Sequence, residues 1–316
     1  MALDADTQAF LEKSRSKQGP APGEMSLEEF RAAVEPFREL GFEREEVARV
    51  DDLTIPRAGG ETAQLRLYRP DVARPMPVFV WVHGGSWVRV TVDLLDNHYR
   101  AMAHRSGCAV AAVDYRLSPE SQFPAAIEET YAAACWLRQH SKSFGLSERQ
   151  IAIGGESSGG NVAAAAALVD RDRRLAGFVF QALIVPVLDV RFETDSWERL
   201  GRDYLLTREQ LEWALEQYAP GVRPTEPLLS PLAAESLRGL PPTLIMTGEY
   251  DPLKDEGAAY AERLREAGVA VDLVEVPGLI HHAIMAPRAI DRGAELVDEA
   301  AARLGAALRD GDGRQP

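Results

Sequence analysis

Cysteine and histidine are scarce in this 316-residue chain, with two of the first and six of the second. Cys108, in a run that reads as a strand, and Cys135, in one that reads as a helix, cannot build a disulfide framework or a metal site, so buried thiols are expected. Positive charge is also short: 35 Lys and Arg face 49 Asp and Glu, a formal net charge of −14. No basic run offsets that excess, which argues against a nucleic-acid partner. No apolar run reaches the length of a membrane span, and Met1-Ala2-Leu3-Asp4-Ala5-Asp6 has neither the basic region nor the apolar core of a signal peptide. A soluble, cytoplasmic protein with no membrane partner is the expectation. Internal repeats are absent, and Gly154-Gly155 lacks the G-x-G-x-x-G spacing of a dinucleotide site.

What the chain does have is Gly155-Glu156-Ser157-Ser158-Gly159, a G-x-S-x-G pentapeptide. The β-branched run Gln150-Ile151-Ala152-Ile153-Gly154 precedes it, and Gly160-Asn161-Val162 with an Ala-rich segment to Val169 follows. That is the strand-turn-helix context of a nucleophile elbow. Small residues permit a strained turn that lifts the Ser157 hydroxyl clear of the sheet, and the helix N-terminus beneath favours developing negative charge.

A Ser hydroxyl needs a base to remove its proton and an acid to orient that base. Of the six histidines only His281 and His282 follow Ser157, just after the alternating run Val271–Val276, and both are candidates for the base. The acid belongs between nucleophile and base, after the preceding strand. Thr243-Leu244-Ile245-Met246-Thr247 is that strand and Asp251 the candidate, with Asp189 a lesser one. The oxyanion of an acyl-transfer intermediate requires backbone N–H donors. His83-Gly84-Gly85-Ser86-Trp87 follows the apolar strand Val78–Val82, so Gly84, Gly85 and Ser158 are the expected donors, and Ser86, Trp87 and Trp213 candidate pocket residues. No metal or organic cofactor is needed by this chemistry.

Strand-like runs fall at 49–55, 64–69, 78–82, 109–114, 150–154, 178–187, 243–247 and 271–276, separated from the third onward mostly by helical patterns. This predicts an α/β fold with a mostly parallel sheet of about eight strands and an antiparallel start. Ser147-Glu148-Arg149-Gln150 reads as a turn. The Ser26-Leu27-Glu28-Glu29 capping box opens an amphipathic helix through about Leu40, and Thr207-Arg208-Glu209-Gln210 opens another over 211–218. Neither fits a sheet crossover. The expected layout is therefore 1–45 as the N-terminal part of a helical cap, 46–189 as the first part of the core, 190–225 as a cap insertion, 226–308 as the second part of the core, and 309–316 as a polar, disordered tail. Asp255 and Glu256 are expected to favour the N-terminus of the helix after Asp251, and an exposed last strand and final helix would suit a homodimer.

Five motifs in order resemble the hormone-sensitive-lipase-like branch of the α/β-hydrolases over roughly residues 45 to 305. They are His83 to Trp87; Tyr115-Arg116-Leu117-Ser118-Pro119-Glu120; Gly155 to Gly160; Asp251-Pro252-Leu253-Lys254-Asp255-Glu256-Gly257; and His281-His282-Ala283. Three departures stand out: Ser86 for the third oxyanion glycine, Glu156 for Asp beside the nucleophile, and His282-Ala283 for Gly-Phe. The motif register favours His281 as the base, with His282 as a packing neighbour. The resemblance implies an α/β-hydrolase fold with a helical cap and a carboxylesterase acting on small esters of short to medium acyl chain. Arylformamidase or amidase relatives and acyl transferases share such motifs. Plant gibberellin receptors, which bind a ligand on this fold, have lost the catalytic His that His281 supplies here.

Overall fold

In the computed structural model, which describes residues 3–16, 19–57, 60–73 and 75–310, eight strands form one sheet. They are β1 (Arg49–Pro56), β2 (Thr62–Arg69), β3 (Met76–Val82), β4 (Ala109–Asp114), β5 (Leu146–Glu156), β6 (Phe180–Ile184), β7 (Thr243–Tyr250) and β8 (Val271–Ile280), in the spatial order β1-β2-β4-β3-β5-β6-β7-β8. β2 runs antiparallel to both its neighbours, and every pairing from β4 to β8 is parallel. The two-residue alternation of β3 shows how the sheet divides the core: Val78, Val80 and Val82 enter one apolar cluster, whereas Phe79 and Trp81 enter the other. The first cluster lies under α5 (Ala125–Phe144), α6 (Ser158–Arg173) and α9 (Lys254–Glu266). The second lies under α4 (Asp96–Ser106) and α10 (Asp291–Asp310). Among the described residues no helix is long and apolar enough to cross a membrane.

α6 carries the run Ala163–Ala167, all fully buried or nearly so. Short side chains let the helix axis lie close to the sheet, and its N-terminus comes closest of all. A Cβ added at Gly155 would stand 2.5 Å from the backbone of Gly159 and the carbonyl oxygen of Val82, and one at Gly159 would run into the carbonyls of Val82 and His83.

Four local expectations change. The apolar stripe over 26–40 is not one helix but α2 (Leu27–Ala32) and α3 (Phe37–Leu40), with short-range turns between. Pro36 has no N–H to donate there, so the ladder cannot continue. Residues 147–150 belong to β5, which starts at Leu146 because that residue pairs with Met76, before a shift in register. β6 stops at Ile184, where Val185 takes φ 43° and the chain turns away. The polar tail begins later than residue 309, since Arg309 lies in α10 and donates to the Ser106 carbonyl; residues 311–316 lie outside the described residues.

The segment between β6 and β7 carries α7 (Asp195–Leu200) and α8 (Arg208–Tyr218). Its Trp213 packs on Phe30 of α2 with ring centroids 4.5 Å apart. The N-terminal segment, which opens with α1 (Ala5–Arg15), has a second attachment: Leu11, Val34 and Phe42 are buried in the cluster beneath α4 and α10.

Because the contacts at Gly155 are with backbone that cannot step aside, Gly155→Ala is expected to destabilise the protein by about 3 kcal/mol. Gly19→Ala, where nothing lies within 4 Å, should stay within about 0.5 kcal/mol. Urea unfolding of the two variants side by side checks the contrast.

Candidate active site

β5 ends at Glu156, α6 begins at Ser158, and Ser157 between them sits at φ 56°, ψ −122°. This left-handed backbone is unfavourable for a residue with a Cβ and is held by packing on both sides. Ser157 N–H donates to the Ile184 carbonyl at 2.9 Å, and the Ser157 carbonyl accepts from Val187 at 3.1 Å. The end of β6 and the segment just after it thereby grip the turn and leave the hydroxyl at the carboxyl edge of the sheet.

Two more loops at that edge bring the rest of the constellation. His281 follows β8, and its Nε2 lies 2.9 Å from Ser157 Oγ; its Nδ1 lies 2.8 Å from Asp251 Oδ2, at the end of β7. A carboxylate only accepts, so Nδ1 carries the proton and Nε2 is left to accept from the Ser157 hydroxyl. Asp251 is wholly buried, and its second oxygen accepts from Leu253 N–H at 2.9 Å. His282 takes no part in this relay. Its ring packs against Phe37 and the edge of His281, with Nδ1 buried and unpartnered, and burial holds it well below the usual imidazole range, in the neutral form. Asp189 is likewise elsewhere, paired with Arg191.

The oxyanion donors require a correction. Gly84 N–H already donates to Glu156 Oε1 at 2.7 Å, so its single hydrogen points at a carboxylate and away from a substrate. The amides of Gly85, Ser86 and Ser158 donate to no acceptor among the described residues. Gly85 and Ser86 stand at φ 99° and 55°, and both line the cleft above Ser157. The candidate donor that the sequence reading left out is thus the amide of Ser86.

The cleft measures about 490 Å³ including its open mouth. Besides Ser157, His281 and the oxyanion loop, its walls include Val34, Arg89, Val90, Leu206, His282, Ile284 and Met285. Trp87 and Trp213 are not among them. Trp87 is fully buried and stacks flat on Tyr218 at 4.8 Å, and Trp213 is turned onto Phe30. Both serve packing, whereas Ser86 does line the pocket. The neighbours of Asp251 stand in the first turn of α9, as expected, and also bond outside it. Asp255 accepts from Ser196 N–H, and Glu256 accepts from the N–H groups of Leu188 and Asp189, so both tie α9 to the segment after β6.

Glu156 is the buried acid beneath the site. Both its oxygens are engaged, Oε1 by Gly84 N–H and Oε2 by the indole N–H of Trp81 at 2.6 Å. Burial pushes its carboxyl up to about 7, against these two donors, which favour the ionised form. His83 lies flat on Tyr115 at 4.3 Å, and burial holds it below the usual imidazole range, hence neutral. The turn after Tyr115 is structural: Glu120 pairs with Arg31 of α2 at 2.6 Å, and Arg116 pairs with Glu129. Among the described residues no cluster of His, Cys, Asp and Glu could hold a metal ion.

A sequence profile described as alpha/beta hydrolase fold matches residues 79–285. The chain is 41% identical over 239 residues, 73% of its length, to the carboxylic ester hydrolase LipN of Mycobacterium tuberculosis, and spans 63% of that protein. It is 34% identical over 292 residues to the ethyl acetate hydrolase of Pseudomonas putida, covering 89% of this chain and 92% of that one. Solved structures agree. An ester hydrolase from the metagenome of Lake Arreo superposes with TM-score 0.92 at 34% identity over 98% of this chain and all of that one. The hyperthermophilic esterase of Pyrobaculum calidifontis does so with TM-score 0.90, the same identity and the same coverage. The chain belongs to the α/β-hydrolase family, in its hormone-sensitive-lipase-like group.

A carboxyl raised above its ordinary 4.5 contributes stability that is fully present below that value and is lost as pH climbs through about 7. The stability of the unaltered protein relative to Glu156→Gln should therefore fall between pH 4.5 and 7.5, by up to about 3 kcal/mol, and level off beyond. Urea midpoints of both proteins across that range measure it; a difference independent of pH would show that Glu156 folds ionised.

Proposed function

We propose that the protein is a serine hydrolase that cleaves carboxylic esters of short to medium acyl chain through an acyl-enzyme on Ser157. The observation that carries the reading is the continuous relay Ser157–His281–Asp251, at 2.9 and 2.8 Å, facing three free amides. Ser157 Oγ attacks the ester carbonyl while His281 Nε2 takes its proton, and Asp251 stabilises the imidazolium that forms. The carbonyl oxygen gains charge among the N–H groups of Gly85, Ser86 and Ser158, at the N-terminus of α6. As the tetrahedral intermediate collapses, the leaving alcohol takes the proton from His281. Water, deprotonated in turn by His281, then releases the acid and restores the hydroxyl. Ester hydrolase names among relatives that align over most of this chain support the same reading.

Residues 1–45 and 190–225 act, in this reading, as a cap. Val34 from the first and Leu206 from the second line the cleft, and the Phe30–Trp213 contact joins them. The small apolar cleft they close suits short and medium acyl groups better than long ones. With His281 hydrogen-bonded in the relay, a purely ligand-binding role on this fold is disfavoured.

A fluorophosphonate should label the protein at Ser157. Ser158, fully buried with its Oγ accepting from Trp87 N–H, should not react. His281→Ala should lower kcat on p-nitrophenyl esters by about 10⁴-fold or more, and His282→Ala by far less. An adduct mapped to Ser158, or the reverse ranking of the histidines, would overturn the assignment; aryl formamides run alongside separate esterase from amidase activity.

A further inference from the structure

Arg89 is a charged side chain in the cleft wall that ester hydrolysis does not use. Buried arginines elsewhere in the described chain meet carboxylates: Arg69 pairs with Asp51, and Arg100 pairs with Asp96 at 2.6 Å. Arg89 is only 9% exposed and lines the cleft with Gly85, Ser86, Ser157 and His281, and its side chain makes no hydrogen bond or ion pair with any described residue. Its Nε is sealed from solvent without an acceptor. The guanidinium lies over the Phe30 ring, with Cζ 4.3 Å from its centre. An aromatic face attracts the guanidinium but accepts none of its in-plane N–H donors. Burying a cation with one donor, Nε, left without an acceptor is unfavourable unless something else compensates.

The residue is also held in place. Arg89 N–H donates to the Gly85 carbonyl at 3.0 Å, and Arg31 Nε donates to the adjacent Val88 carbonyl at 2.9 Å. Ser86, Trp87 and Val90 all take positive φ in the same turn, the last at 73°, an unfavourable backbone for a β-branched residue. The titratable neighbours offer no partner: Glu156 is committed to Gly84 and Trp81, and His281 and His282 add no negative charge. Burial lowers the guanidinium only to about 10, so it is cationic at neutral pH.

We propose that Arg89 is a substrate-recognition residue and that the preferred esters carry a carboxylate, on the acyl group or on the alcohol, which pairs with its guanidinium beside Ser157. A planar guanidinium presents parallel N–H donors that match a carboxylate, and in this enclosed cleft it meets that anion with little competition from water. The inference rests on the reading of the cleft as an ester site and names the class of ester it takes.

The test measures binding without turnover, on Ser157→Ala protein, by calorimetry. One pair of ligands is 4-nitrophenyl hemiglutarate and the neutral hexanoate, which places the carboxylate on the acyl side. The other is 4-acetoxybenzoate and 4-methylphenyl acetate, which places it on the alcohol side. At least one anionic ligand should bind about tenfold or more tighter than its neutral mate, and the pair that does so identifies the side. Arg89→Met should erase that ratio and Arg89→Lys should keep part of it. Should Arg89→Met fail to fold, the ratio in the Arg89 protein should still shrink as salt is raised. Neither anion preferred, or a preference that survives Arg89→Met or is indifferent to salt, overturns the proposal. Failure of the hydrolase reading would register separately, as no p-nitrophenol released from the hexanoate by the protein with Ser157 intact.

Discussion

Everything at the site depends on how closely the N-terminus of α6 approaches the end of β3, a contact that only glycine at positions 155 and 159 permits. With no Cβ at either position, the turn between them is forced tight and Ser157 is held at positive φ with its hydroxyl turned out of the sheet. The same approach sets Glu156 under the loop that leaves β3, where it binds Gly84 N–H and the Trp81 indole. That bond orients the loop. Gly84 N–H is taken by the carboxyl, while the amides of Gly85, Ser86 and Ser158 meet no acceptor among the described residues. The elbow at Ser157 and the candidate oxyanion amides are thus consequences of one packing constraint.

The charges around this turn are sorted by burial. Asp251 is sealed beneath His281 and meets both the imidazole N–H and a backbone N–H, so the relay has an anion at one end without solvent to weaken it. His83 and His282, the other imidazoles nearby, are kept neutral by desolvation and do not compete for the proton. In the proposed mechanism the transient positive charge on His281 accordingly has Asp251 as its stabilising partner, and the lasting positive charge in the cleft belongs to Arg89.

Much of this was legible in the sequence where a local rule carries the chemistry. The G-x-S-x-G spacing places the elbow, the strand over 243–247 points to Asp251, motif register favours His281 over His282, and apolar runs locate the eight strands. What escaped is what depends on direction. Gly84 looked as suitable a donor as Gly85, because sequence does not say which way an amide points, and Glu156 in place of Asp gave no hint that it would hold that amide. Trp87 beside the oxyanion loop reads as a pocket residue until its face is found against Tyr218, more than a hundred residues away in the chain. The apolar stripe over 26–40 outweighed Pro36 in the reading of one long helix, although the missing N–H was visible there. Arg89, an arginine inside the run Trp87-Val88-Arg89-Val90, was the available sign of a charge drawn into an apolar cleft, and only the lack of a folded partner makes it meaningful.

The most direct measurement of the account is a crystal structure of the protein after inactivation by diethyl p-nitrophenyl phosphate. The account predicts phosphorus bonded to Ser157 Oγ, with one phosphoryl oxygen within hydrogen-bond distance of the amides of Gly85, Ser86 and Ser158, while Gly84 N–H stays on Glu156. A phosphoryl group on another residue, or an oxygen bound by Gly84 with Glu156 displaced, would contradict it.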